Sequence, residues 1–177
     1  IVEFGASSTP VFEYYSKRVK KEIKSGAIYI GFDIDNESIG TITQQEGVHF
    51  ALGDMGRIPL ANGVADEVWV LSVFGGNFKN TPEEMPNGTL RYTLGVDRHF
   101  REMARILRAG GKIYIGEWFP RIGDPNWLKN DDYSRYGLTK EIYEDINLQK
   151  FINQHEFRFG CTWEKSPPFF IELTKRF

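Results

Sequence analysis

The chain has 177 residues, a formal net charge of −2, 41% hydrophobic and 15% aromatic residues. That length fits one domain spanning 1–177 with a sizeable core, and the aromatic content argues against disorder. The near-neutral balance gives no sign of a nucleic-acid footprint or an electrostatic membrane anchor, although a local patch fits within a neutral total, and neither a transmembrane-length apolar run nor a secretory signal is visible.

Ile1-Val2-Glu3-Phe4-Gly5 reads as an apolar strand with one carboxylate that ends on a glycine. The chain begins there without methionine, so either it is processed or its natural start is missing. Ala6-Ser7-Ser8 is a tight loop. Thr9-Pro10 is predicted to open a helix, because Thr9 accepts from orphan N–H groups and Pro10 suits the first helical position. Val11, Phe12, Tyr14, Tyr15, Val19 and Ile23 keep helix spacing, and Ser25-Gly26 ends it. Ala27 to Asp33 is a second strand, again closing on an acid. Strand, tight loop, helix, strand and acid form the layout of a nucleoside-binding βαβ unit. Ile34-Asp35-Asn36 turns into a short helix. Val48 to Leu52 is a weaker third strand that leads to Gly53-Asp54, and Pro59 to Gly63 is turn chemistry. Glu67 to Phe74 is a nearly continuous apolar run, the mark of a strand buried on both faces.

Gly75 to Gly95 reads as a loop or partly ordered insertion. The next helix puts Phe100, Met103, Ala104 and Leu107 on one face and stops at Ala109-Gly110-Gly111. Lys112 to Glu117 is the fifth strand, and Trp118 to Gly137 is irregular. Ile142, Tyr143, Ile146 and Phe151 mark a last helix. Phe157 to Trp163 and Phe169 to Leu173, joined by Ser166-Pro167-Pro168, are expected to pair as an antiparallel hairpin. Cys161 is the only cysteine, which excludes an intramolecular disulfide and favours a reducing, cytoplasmic home. Strands alternating with helices predict an α/β fold with a doubly wound, mostly parallel sheet. Ligands of such sheets lie outside the carboxyl ends of the strands at the switch in strand order, where these acids and glycines fall.

The chain resembles the class I S-adenosylmethionine-dependent methyltransferases of the small-molecule "type 11" kind. Ile1 to Ser7 matches the first motif, an acid, an apolar residue and a glycine loop, and Gly31-Phe32-Asp33-Ile34 matches the second-strand motif. Gly53-Asp54-Met55 with Ile58-Pro59-Leu60 matches the Gly-Asp-Ala…Leu-Pro-Phe segment. Ala65 to Val70 matches the fourth strand, and Leu107-Arg108-Ala109-Gly110-Gly111-Lys112-Ile113 matches the common Leu-Lys-Pro-Gly-Gly-Arg-Leu. The resemblance implies a Rossmann-like sheet of seven strands with an antiparallel C-terminal hairpin. It also implies S-adenosyl-L-methionine as cofactor and a small-molecule acceptor, with no nucleic-acid or membrane partner; the oligomeric state stays open.

By that resemblance Asp33 accepts from the ribose hydroxyls, and a carboxylate is a strong acceptor for this. Gly5, Ala6 and Ser7 form the loop at the amino-acid end, and Gly5 permits close backbone approach. Glu3 fixes that loop and helps hold an ammonium, although a purely structural acid bonded to loop N–H groups is an equal reading. Ile34 joins the cofactor set through its motif. Asp54 accepts from the adenine amino group with Met55 against the ring, and Ser72 and Val73 offer backbone contacts. Ser7 and Thr9 stand where the family has glycines. Glu117, His99, Asp97 and Tyr92 are candidate bases, none with a signature around it, so no catalytic residue is assigned. Trp118, Trp127, Tyr133 and Tyr136 suit either a cover over the acceptor or packing on the domain edge. The function expected is methyl transfer to a small molecule. The alternatives are a degenerate binding or partner subunit without turnover, and a dinucleotide oxidoreductase, against which the missing Gly-x-Gly-x-x-Gly argues.

Overall fold

The computed structural model describes residues 1–6, 10–11, 16–34, 46–71, 73, 83–84, 90–91, 94–117, 126–144, 147–157 and 169–177. Seven strands make one sheet: β1 (Val2–Phe4), β2 (Tyr29–Asp33), β3 (Val48–Leu52), β4 (Ala65–Leu71), β7 (Leu107–Glu117), β8 (Leu138–Tyr143) and β9 (Phe169–Lys175). β5 (Glu83–Glu84) and β6 (Leu90–Arg91) form a separate antiparallel pair inside the stretch expected to be a loop. The order across the large sheet is β3-β2-β1-β4-β7-β9-β8. β9 pairs antiparallel with both β7 and β8, so the other six strands run one way and β9 opposes them. This is the expected doubly wound, mostly parallel architecture.

Period-two alternation splits the core into two layers. Val68, Val70, Ile113 and Ile115 face one layer, with Phe100 and Met103 of helix α2 (Leu94–Ile106). Trp69, Leu71 and Tyr114 face the other, with Val19 and Ile23 of helix α1 (Lys17–Lys24) and Phe151 of helix α4 (Leu148–His155). The short helix α3 (Asn126–Asn130) and a 3-10 turn (Tyr133–Tyr136) pack at the first layer's edge.

Four local expectations change. The helix predicted from Thr9-Pro10 is not continuous: Ser16 is extended, forms a bridge with Phe157 and caps α1 by accepting from the Val19 N–H. Val19 and Ile23 keep their helical spacing in the segment that follows. β7 begins at Leu107, five residues before Lys112, because Leu107 pairs with Ala65 before the register jumps to Glu67 and Lys112. Gly110 at φ +75° accommodates that bulge. Ile142 and Tyr143 belong to strand β8: Leu138 and Ile142 join one layer and Tyr143 the other, and the helix begins only at Leu148. The antiparallel C-terminal pair is therefore β8 with β9. Both edges of β9 are filled, which leaves no edge for a strand at Phe157; residues 158–168 lie outside the described residues.

Candidate functional site

Strand order reverses at β1, which has β2 on one side and β4 on the other. The carboxyl ends of these strands meet at a bend that only glycine fits. Gly5 has φ +71°, and a Cβ there would stand 2.5 Å from Val73 Cγ2. The Gly5 and Ala6 N–H groups both donate to the Phe32 carbonyl, at 2.9 and 3.3 Å. The bend is thus fastened to β2 and pressed against the end of β4. Ala6 is fully buried, and Val73 is half-buried.

Glu3 is 1% exposed. Its carboxyl group accepts from the Val11 N–H at 2.8 Å and from the Tyr29 hydroxyl. Burial pushes it up to about 8, against the pull of those two hydrogen bonds and helped by the charge on Asp33. Through these bonds Glu3 ties Val11, beyond the loop, to β1 and β2.

Asp33 closes β2 half-buried, and its carbonyl accepts from the Gly53 N–H at 2.9 Å. Ile34 beside it is 75% exposed, and Leu52, its neighbour on β3, is 54% exposed. Two large apolar side chains therefore stand in the open next to a rim carboxylate. Asp54 Oδ1 accepts from the Gly56 N–H at 2.7 Å, which fixes the turn while the carboxylate stays open to solvent. Met55 is instead packed in the core beside Ile58.

Gly5, Ala6, Asp33, Ile34, Asp54 and Val73 lie on one rim, with Glu3 and Met55 buried behind it. Ser7 and Ser72 lie outside the described residues, as do Thr9, Tyr92 and Trp118. Of the candidate bases, His99 reaches from α2 to the rim, with Nε2 3.7 Å from Asp54 Oδ1. Burial lowers its pKa more than Asp54 raises it, so it is neutral near pH 7. Sequence spacing hides this pairing, because α2 is 40 residues further along; a helix-start histidine reads as a surface group. Asp97 is engaged elsewhere, accepting from the Tyr136 hydroxyl and from Arg101 Nε, each at 2.6 Å. Glu117 ends β7 at 3% exposure. Tyr133 is buried against Phe100 with its hydroxyl donating to the Leu128 carbonyl, and Tyr136 stacks on Phe100. Those two tyrosines pack on Phe100 of the first core layer. Among the described residues, no cluster of His, Cys, Asp and Glu could hold a metal ion, and no helix is long and apolar enough to cross a membrane.

No family model and no curated protein sequence matches the chain. Its backbone is similar to a SAM-dependent methyltransferase from Aquifex aeolicus, with a TM-score of 0.64 and 10% identity over 98% of this chain and 80% of that one. It is similar to phosphoethanolamine N-methyltransferase 2 of Haemonchus contortus in complex with S-adenosyl-L-methionine, at 0.61 and 10%, over 99% of this chain and 48% of that one. It is also similar to the [4+2]-cyclase SpnF, at 0.61 and 14%, over 99% of this chain and 74% of that one. The chain has the fold of the class I S-adenosylmethionine-dependent methyltransferases.

Proposed function

We infer that residues 1–177 form one domain that binds S-adenosyl-L-methionine at the β1–β4 rim and directs its methyl group to a small-molecule acceptor. The observation that carries the reading is the Gly5 bend. It is held at φ +71° against Val73 with Asp33 and Asp54 beside it, and it sits at the switch point where such sheets take ligands. The rim residues suit the group. Asp33 is a half-exposed carboxylate for a sugar diol, Ile34 is an exposed apolar surface for a base, and the Asp54 carboxylate is open to an amino group. The bound sulfonium supplies an already activated methyl, so the chain's task is orientation and exclusion of water, worth roughly 7–11 kcal/mol in well-oriented reactions. His99, neutral and next to Asp54, is the described group best placed to take a proton where the acceptor needs one. A cytoplasmic setting fits the single cysteine, and the near-neutral charge gives no support to a nucleic-acid or membrane partner.

Calorimetric titration with S-adenosylmethionine, its demethylated product and NAD tests this. We expect the first two to bind and NAD not to; NAD alone binding overturns it. Asp33→Ala should weaken binding by about 1.5–3 kcal/mol, the worth of hydrogen bonds to a charged group. Unchanged affinity would make Asp33 a strand-end residue only. The second reading, a binding or partner subunit without turnover, is favoured by Ser7 and Thr9 in place of glycines. Tight binding with no methyl transfer over a broad acceptor panel would select it.

A further inference from the structure

Gly53 to Gly63, between β3 and β4, has no strand or helix of its own, yet it carries Asp54 to the rim. Its first turn is closed internally. The Gly56 N–H donates to Asp54 Oδ1 at 2.7 Å and the Arg57 N–H to the Asp54 carbonyl at 2.8 Å. That turn is held at both ends. Upstream, the Gly53 N–H donates to the Asp33 carbonyl of β2 at 2.9 Å. Downstream, both backbone groups of Ile58 are gripped from α2: its N–H donates to Glu102 Oε2 at 3.0 Å, and its carbonyl accepts from Arg105 Nη2 at 2.8 Å.

Arg105 does more than pair with Glu102. A guanidinium has five N–H donors in one plane, and the acceptors for all of them are present. Nε donates to Glu102 Oε1 and Nη2 to Glu102 Oε2, both at 2.9 Å. The other Nη2 bond is the one to Ile58, and Nη1 donates to the Leu60 carbonyl at 2.7 Å and to Asn62 Oδ1 at 2.8 Å. The segment ends on the same residue, where the Gly63 N–H donates to the Arg105 carbonyl at 3.1 Å. An ion pair three residues apart on a helix contributes little by itself and needs no third group. Asn62 and Gly63 are exposed, where water would serve such acceptors as well. The planar fork therefore adds geometry: it fixes where the segment runs. The Arg105 hydrogen bonds hold the Glu102 carboxyl below the usual carboxylate range, so the pair stays charged through neutral pH.

The turn also lies close against α2. A Cβ on Gly56 would stand 3.0 Å from His99 Cδ2, and Met55 and Ile58 are buried in the same layer as Phe100 and Met103. The Asp54 side chain itself is 60% exposed. Its place follows from the backbone of its turn rather than from packing of the side chain.

We propose that Arg105, with Glu102, is a positioning residue for the base of the bound ligand: by fixing Ile58 it sets the Asp54 carboxylate, and so sets how strictly the site demands an amino group there. Arg105 acts through Asp54 and not on the ligand. This rests on the reading that the rim binds an adenosyl group with its amino group at Asp54.

The test compares, by calorimetry, S-adenosylhomocysteine with S-inosylhomocysteine, which differ in an amino against an oxo group on the base. The intact chain is expected to prefer the first by at least about tenfold, as a hydrogen bond to a charged group provides. Arg105→Lys keeps a cation for Glu102 but loses the fork. It should weaken S-adenosylhomocysteine at least about fivefold and S-inosylhomocysteine less than about twofold, so that the preference collapses. Glu102→Gln should lower the preference by a smaller factor, and serves if Arg105→Lys does not fold. In an Asp54→Ala background, Arg105→Lys should change neither affinity further. Equal losses for the two ligands, or a loss that persists in Asp54→Ala, overturn the proposal and make the fork general scaffolding. Unchanged preference in the folded variants overturns it too. An intact chain that binds both ligands equally overturns this proposal alone; one that binds neither overturns the reading of the rim as well.

Discussion

Two buried titratable groups on the same face of the sheet meet opposite fates. Toward the carboxyl rim, Glu3 accepts from Val11 and Tyr29 and so spends its polarity on fixing a loop. Toward the amino end, His155 lies among aromatic rings with neither nitrogen bonded among the described residues. Burial alone therefore says little about function here. A satisfied buried acid braces the structure around a site, whereas an unsatisfied buried imidazole is held by ring packing at a cost in hydrogen bonding. The rim repeats the lesson: Glu3 is hidden and braced, while the Asp54 carboxylate stays open.

The largest expected effect tests whether the rim is built around its bend. Gly5→Ala places a Cβ 2.5 Å from Val73 Cγ2 at φ +71°. It should cost about 2–4 kcal/mol of stability from left-handed backbone and overpacking together. Adding Val73→Ala should return roughly the overpacking part and leave the backbone part. Denaturant unfolding of the three variants measures this. A Gly5→Ala chain as stable as wild type would mean that the bend relaxes freely and pre-organises nothing.

The two buried groups also predict opposite pH limbs. Glu3 rises from 4.5 to about 8 in the folded chain, so folding retains a proton that the unfolded chain has lost. Its contribution is complete below 4.5 and is lost as pH rises toward 8. His155 falls from 6.5 to about 3, so its contribution is complete above 6.5 and is lost as pH falls toward 3. Between 4.5 and 6.5 the two slopes oppose and stability should plateau. Outside that window each limb is limited to about 1.4 kcal/mol per pH unit. Glu3→Gln, which mimics the protonated acid, should flatten the alkaline limb and spare the acid one. His155→Phe should do the reverse. Melting temperatures from pH 3.5 to about 8.5 read both, and a Glu3→Gln chain that keeps its alkaline decline would remove Glu3 as the cause.

How much of this was legible in the sequence follows from distance along the chain. Asp33, Asp54 and Gly5 can be read because strand-end acids and a strand-end glycine are local signals, and the runs at β2, β3 and β4 are long enough to carry a period. Ile142 and Tyr143 mislead because adjacent apolar residues with Ile146 four further on imitate a helix, while in β8 they serve opposite layers. Leu107 continues the helical stripe of Phe100 and Met103 yet opens β7, since its pairing with Ala65 is decided by tertiary register. The His99–Asp54 contact and the Arg18–Glu67 ion pair between α1 and β4 have no local signature at all. They arise only when sheet order brings remote segments together.

The smallest effect expected concerns Ser16, which separates α1 from the loop anchored by Glu3. Its hydroxyl accepts from the Val19 N–H at 3.3 Å as helix cap and donates to the His155 carbonyl at 2.8 Å. One side chain thus joins the start of α1 to the end of α4. Ser16→Ala should cost about 1 kcal/mol, the usual worth of a cap, and should leave the S-adenosylmethionine affinity proposed for the rim unchanged, because the Ser16 hydroxyl bonds to Val19 and His155. If the His155 carbonyl bond adds to the cap, the loss at 25 °C should approach the upper end of capping effects, about 2 kcal/mol, and backbone amide exchange in Leu148–His155 should accelerate with that in Lys17–Lys24. Faster exchange in α1 alone would show that the cap works locally and that Ser16 does not couple the two helices.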